Sequence, residues 1–162
     1  MTDTELILKA YEILDTLTPL RSDCGRLCNA ACCKGDSNTG MLLFPGEEKL
    51  YEHNSELKII TSQKYQLLIC NGTCTRSVRP LSCRIFPLAI VNNNGTLRVI
   101  ADPRSIPICP LYRQALSGKL DINFKKAVKD VAKLLSQSTD IKNFLAYIHD
   151  QCAEAEKFYR SL

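Results

Sequence analysis

Nine cysteines stand in a chain of 162 residues, and eight of them fall between Cys24 and Cys109. An odd number cannot pair completely within one chain. A chain of this length can bury enough surface to build its own core, so it does not need disulfide staples to fold. The first cluster is Cys24, Cys28, Cys32 and Cys33, the second is Cys70 and Cys74, and Cys83 and Cys109 follow singly. Gaps of two to four residues let two sulfurs turn toward one ion, and thiolates select zinc or iron–sulfur centres over magnesium or calcium. With only His53 and His149 as imidazoles, cysteine is the expected ligand type. The adjacent Cys32 and Cys33 side chains diverge in any regular backbone, so each is expected to serve a different centre or one to be a bystander. Eight sulfurs divide arithmetically into two sets of four or one larger centre. Cys152 stands apart, in register with an apolar helical stripe, and reads as a core residue.

The same segment carries the charge asymmetry. The chain has a formal net charge of +4, and residues 21–113 hold twelve Lys or Arg against seven Asp or Glu. That balance is too mild to indicate nucleic acid, and no aromatic interleaving accompanies Arg76, Arg79 and Arg84. These arginines fit better beside thiolates, and Arg79, Arg84 and Arg104 are candidate hydrogen-bond donors to a metal-bound sulfur. The N-terminus lacks a basic stretch followed by an apolar one, and no apolar run reaches the length of a membrane span. The expectation is therefore a cytoplasmic protein with no membrane partner, in a compartment where thiols stay reduced.

The hydrophobic pattern predicts a single α+β domain over 1–162. A cysteine-rich core over 21–113 with a short antiparallel sheet is flanked by an N-terminal helix and a C-terminal helical pair over 121–162. Residues 2–17 have capping-box spacing at Thr2 and Glu5, an apolar stripe at Leu6, Ala10, Ile13, Leu14 and Leu17, and a stop at Thr18-Pro19. Residues 45–51 read as a short helix with Glu47 and Glu48 in its first turn. Residues 57–61 and 65–70 read as strands. Residues 86–91 and 96–101 flank Asn92-Asn93-Asn94-Gly95, a hairpin signal. The two C-terminal stripes run from Phe124 to Leu135 and from Ile141 to Phe158, separated by Ser138-Thr139-Asp140, and are expected to pack on each other or on the first helix.

Several catalytic patterns are excluded or weak. A radical-SAM cluster motif would need a third cysteine at position 31, which is Ala31. Neither histidine lies in a motif that would pair it with a nucleophile, and no glycine-rich phosphate loop is present. Asn71-Gly72-Thr73 and Asn94-Gly95-Thr96 match glycosylation acceptors but read as turns without a secretory signal.

One family shares these motifs. The Cys24–Cys33 run followed by Lys34-Gly35-Asp36, then Leu43-Phe44-Pro45-Gly46-Glu47-Glu48, then Arg79-Pro80-Leu81-Ser82-Cys83-Arg84-Ile85-Phe86-Pro87, resembles the YkgJ-type CxxCxxCC cysteine-cluster family, a zinc- or iron-chelating domain. The likeness covers about residues 21–113 and extends to the cysteine region of flagellin lysine methylases. The first cluster here is one residue longer in each gap than the family name. The resemblance implies chelation by Cys24, Cys28, Cys32, Cys33, Cys74 and Cys83, with Cys70 and Cys109 as additions. The function expected from residues and resemblance together is chelation of zinc or an iron–sulfur centre. The alternative is an iron–sulfur-dependent redox or methyl-transfer enzyme. The sequence names no catalytic residue, substrate or protein partner.

Overall fold

The computed structural model describes residues 1–22, 31–33, 40–70, 72 and 75–162, with the backbone alone at Cys33. Among these residues the fold is α+β, with five α-helices and two small antiparallel sheets. No helix among them is long and apolar enough to cross a membrane.

Helix α1 (Asp3–Leu14) starts where the capping box predicts. The Thr2 hydroxyl accepts from the Glu5 N–H at 3.3 Å, and the Glu5 carboxylate accepts from the Thr2 N–H at 2.7 Å. It buries Leu6, Ile7, Ala10 and Leu14, whereas Ile13 stays exposed, so the buried stripe is rotated toward Ile7. The helix stops before Thr18-Pro19 because a distant side chain finishes it. Arg76 donates to the carbonyls of Leu14 at 2.6 Å and Leu17 at 2.7 Å, and also to that of Asp15. A cation at these last carbonyls satisfies orphan acceptors and suits the negative end of the helix.

The strands form two sheets rather than the single one expected. In the first, β1 (Gly40–Leu42) and β2 (Lys58–Ser62) flank β3 (Tyr65–Ile69), with Gly40 opposite Ile69 and Lys58 opposite Ile69. Three-residue β1 carries no period of its own to read. The second is the hairpin β4 (Leu88–Asn93) and β5 (Thr96–Ala101), with Asn93 opposite Thr96. Its turn residues Asn94 and Gly95 have φ of 50° and 89°. Two positive φ values in a two-residue loop are the type I′ geometry for which Asn-Gly is suited.

Between the sheets, α2 (Leu81–Ile85) is a short helix starting just after Pro80. After the hairpin come α3 (Tyr112–Leu116), α4 (Ile122–Leu135) and α5 (Thr139–Arg160). Asp121 caps α4 by accepting from the Phe124 N–H, and Ser138 caps α5 by accepting from the Ile141 N–H. The expected stripes are buried, except that Phe158 is exposed and Leu134 and Ala155 are half-buried. The expected packing on the first helix holds for one of the pair. Helix α4 lies against α1 and β5, and α5 lies mainly along β4. One buried apolar cluster joins α1, Phe44, α2, β4, α4 and α5.

Phe144 of α5 joins that cluster to the first sheet. Its ring lies 4.8 Å from Phe44 and 4.9 Å from Tyr65, centroid to centroid, and is fully buried. Phe144→Ala is expected to lower the unfolding free energy by about 3–5 kcal/mol through lost contacts and a residual cavity, measured as a lower urea midpoint with unchanged slope.

Candidate functional site

Among the described residues the cysteines do not form the expected centre. Among the described residues, no group of three or more His, Cys, Asp or Glu side chains could hold a metal ion. The expectation of zinc or iron–sulfur chelation, together with its iron–sulfur redox or methyl-transfer alternative, is overturned by that finding. A closed site needs about four donors within bonding reach of one point. The described thiols are distributed instead over separate elements: Cys32 in the 31–33 turn, Cys70 after β3, Cys83 inside α2 and Cys109 before α3. Cys70, Cys83 and Cys109 each have an interaction partner. Cys24, Cys28, Cys74 and the Cys33 side chain lie outside the described residues.

The arginines proposed as donors to sulfur are placed as follows. Arg84 is buried and donates to the carbonyls of Arg79 at 2.8 Å, Arg76 at 2.9 Å and Ser77 at 3.3 Å. Its guanidinium also lies over the Tyr11 ring, 4.1 Å from the centroid. Arg104 grips Asp102 with two parallel bonds, Nε to Oδ1 at 2.9 Å and a terminal nitrogen to Oδ2 at 2.7 Å. Arg79 offers its carbonyl to Arg84 and has a further partner.

Two buried polar centres dominate the described residues. The first is Glu47, which is fully buried. Its Oε1 accepts from the Leu81 N–H at 2.6 Å and meets the Tyr11 hydroxyl at 2.5 Å, while Oε2 accepts from the Phe44 N–H at 2.8 Å. The Tyr11 and Tyr51 hydroxyls are 3.2 Å apart, and Tyr51 donates to the Val78 carbonyl at 2.9 Å. The carboxyl group therefore joins α1, the 44–47 turn and α2, and the Tyr51 hydroxyl links it to the 76–79 turn. Burial pushes the Glu47 carboxyl above the usual carboxylate range, opposed by the Tyr11, Leu81 and Phe44 hydrogen bonds and by the Arg84 charge. The Tyr11 and Tyr51 hydroxyls are pushed upward as well, chiefly by burial. The sequence placed Glu47 beside Glu48 as a first-turn charge. Pro45-Gly46 does signal the turn, but nothing local distinguishes the buried glutamate from its half-buried neighbour.

The second centre is Asp102, held by the Arg104 pair and facing Cys152, whose sulfur lies 3.8 Å from Oδ1. Burial and the Asp102 charge push the Cys152 thiol up to about 12. The core role expected for Cys152 is what the structure shows.

Beside the Glu47 centre lies an open cleft of about 520 Å³. Four elements converge on it. Thr2, Asp3 and Thr4 come from the start of α1, and Leu43 to Gly46 with Glu48 and Lys49 come from the turn. Lys64, Tyr65 and Gln66 come from the β2–β3 hairpin, and Asp140 and Asn143 from the first turns of α5. The close fit of α1 to the turn depends on Gly46, which has φ +83°; a Cβ there would sit 2.8 Å from the Thr4 nitrogen and 2.9 Å from the Asp3 Cβ. The Thr4 hydroxyl donates to the Gly46 carbonyl at 2.9 Å. A second groove, of about 580 Å³, runs between the hairpin turn and the end of α4, with Lys129 and Lys133 on its wall.

No family model, curated protein or solved structure matches this chain.

Replacing Glu47 tests its place in the fold. Glu47→Leu leaves two backbone N–H groups and the half-buried Tyr11 hydroxyl without their carboxylate partner, and is expected to cost about 3–5 kcal/mol in a denaturant titration. The sign of the pH effect follows from the raised pKa. The stabilising contribution is complete below the ordinary glutamate value of 4.5 and is lost as pH rises through the folded-state value. Glu47→Gln should remove that component of the stability–pH profile; an unchanged profile would refute the assignment. Cys152 should resist alkylation by iodoacetamide in native protein at pH 8 and react on denaturation, read by mass spectrometry of its peptide.

Proposed function

We propose that this protein is a binding module for a small polar organic ligand, held in the cleft between α1, the 43–49 turn, the β2–β3 hairpin and α5. The observation that carries the reading is the cleft itself, a concavity of about 520 Å³ with charged and amide groups from four elements above an apolar floor of Leu43, Phe44 and Tyr65. That volume is in the roughly 300–1,000 Å³ range of small-molecule sites, which combine apolar lining with a few placed polar groups. The floor is supported from below. Glu47 takes the Phe44 N–H within the turn, and Phe144 packs on both Phe44 and Tyr65. A wall anchored in this way loses little freedom when a ligand arrives, which favours affinity.

The test is a panel of neutral, anionic, cationic and zwitterionic small molecules, followed through backbone amide shifts by NMR. Saturable shifts are expected at 43–49, 64–66 and 140–143. Gly46→Ala, which forces α1 away from the turn, should weaken the hits while the hairpin and α4 signals keep their positions. An absence of saturable shifts at these residues, or undiminished binding by Gly46→Ala, would refute the reading.

A further inference from the structure

The charges around the cleft have both signs. Lys49 and Lys64 stand against Asp3, Glu48 and Asp140. Among the described residues none of the five is in an ion pair, the pairs there being Arg21–Asp121, Arg104–Asp102, His149–Asp150 and Arg160–Glu156. Lys64 instead extends over the Tyr65 ring, 5.6 Å from its centroid. The helix starts do not supply a separate anion site. The caps at Thr2 and Ser138 already accept from the Glu5 and Ile141 N–H groups.

From this arrangement we infer that the cleft takes a zwitterion of about dipeptide size, its carboxylate met by Lys49 and Lys64 and its ammonium by Asp3 and Asp140. The inference rests on the cleft being a ligand site. Its physical basis is desolvation. A ligand that fills the cleft displaces water from cations and carboxylates together, and each charge then needs a counter-charge to offset the lost hydration. A ligand of one sign satisfies the lining charges of opposite sign and leaves the others uncompensated. A neutral ligand leaves both. Discrimination therefore comes as much from the penalty on the wrong ligand as from attraction to the right one.

Four forms of one molecule separate the alternatives: alanyl-alanine, its N-acetyl derivative, its C-terminal amide, and the derivative blocked at both ends. Each is titrated into the full chain and followed by the amides at 49, 64, 66 and 143. Alanyl-alanine is expected to bind about tenfold or more tighter than either singly blocked form, the scale of one lost charge-assisted contact. K49Q combined with K64Q should weaken alanyl-alanine and the N-acetyl form and leave the amide unchanged. D3N combined with D140N should do the reverse. If the doubly blocked form binds as tightly as the zwitterion, charge recognition is overturned while the cleft stands as a ligand site. If none of the four moves these amides but other members of the ligand panel do, the zwitterion is again overturned. If nothing in either set moves them, the binding reading falls too.

Discussion

A single buried carboxyl group organises the front of this molecule. Glu47 accepts from the Phe44 and Leu81 N–H groups and meets the Tyr11 hydroxyl, so the turn, α2 and α1 are joined at one point. Burying a carboxyl group is costly unless donors surround it, and here they do. Arg84 adds a nearby positive charge and ties the 76–79 turn through three carbonyls. Such a centre is cooperative: its donors are well placed only when all the contributing elements are docked. Among the described residues, every buried side-chain polar atom has a hydrogen-bond partner, so the arrangement leaves no polar residue uncompensated there.

The cleft is a consequence of that centre. Phe44 and Gly46 belong to the same short turn as Glu47, one facing Phe144 and the other fitted against the start of α1. The turn is thus held from behind by hydrogen bonds and from the side by aromatic packing. Its outward groups, together with Lys64, Asp140 and Asn143, form the rim. The Asp102–Arg104 pair plays a comparable part further along, closing the chain after β5 against the Cys152 region of α5. Both centres use charge to define a docking geometry. The apolar cluster supplies the burial, and the polar contacts specify how the elements meet.

The arginines show how far a local reading extends. Arg76 and Arg84 lie close in sequence to cysteines, which suggested service to thiolates. In the fold Arg76 finishes α1 from about sixty residues away, and Arg84 binds three backbone carbonyls. Proximity to a cysteine does not foretell these backbone contacts, and Arg76 has a further partner besides them. The same limit applies to cysteine spacing. Gaps of two to four residues permit convergence on an ion, yet convergence depends on how the carrying elements are oriented. Among the described residues that orientation assembles no metal-binding group.

The sequence by itself determined the elements with strong local codes. The Thr2–Glu5 box started α1, Asn94-Gly95 set the hairpin, and the apolar stripes with caps at Asp121 and Ser138 marked the two long helices. Each is encoded within a few residues, by periodicity, a cap or a left-handed turn. Tertiary structure decided the rest: the separation into two sheets, the placement of α4 on α1 and of α5 on β4, the burial of Glu47 and the existence of the cleft. These depend on residues far apart in the chain, as 3, 46, 64 and 140 are around the cleft, and no local pattern records them. The reason is physical. Burial and hydrogen-bond pairing are properties of the assembled core, and a glutamate in a turn carries the same local signature whether its carboxyl meets water or four protein donors and charges.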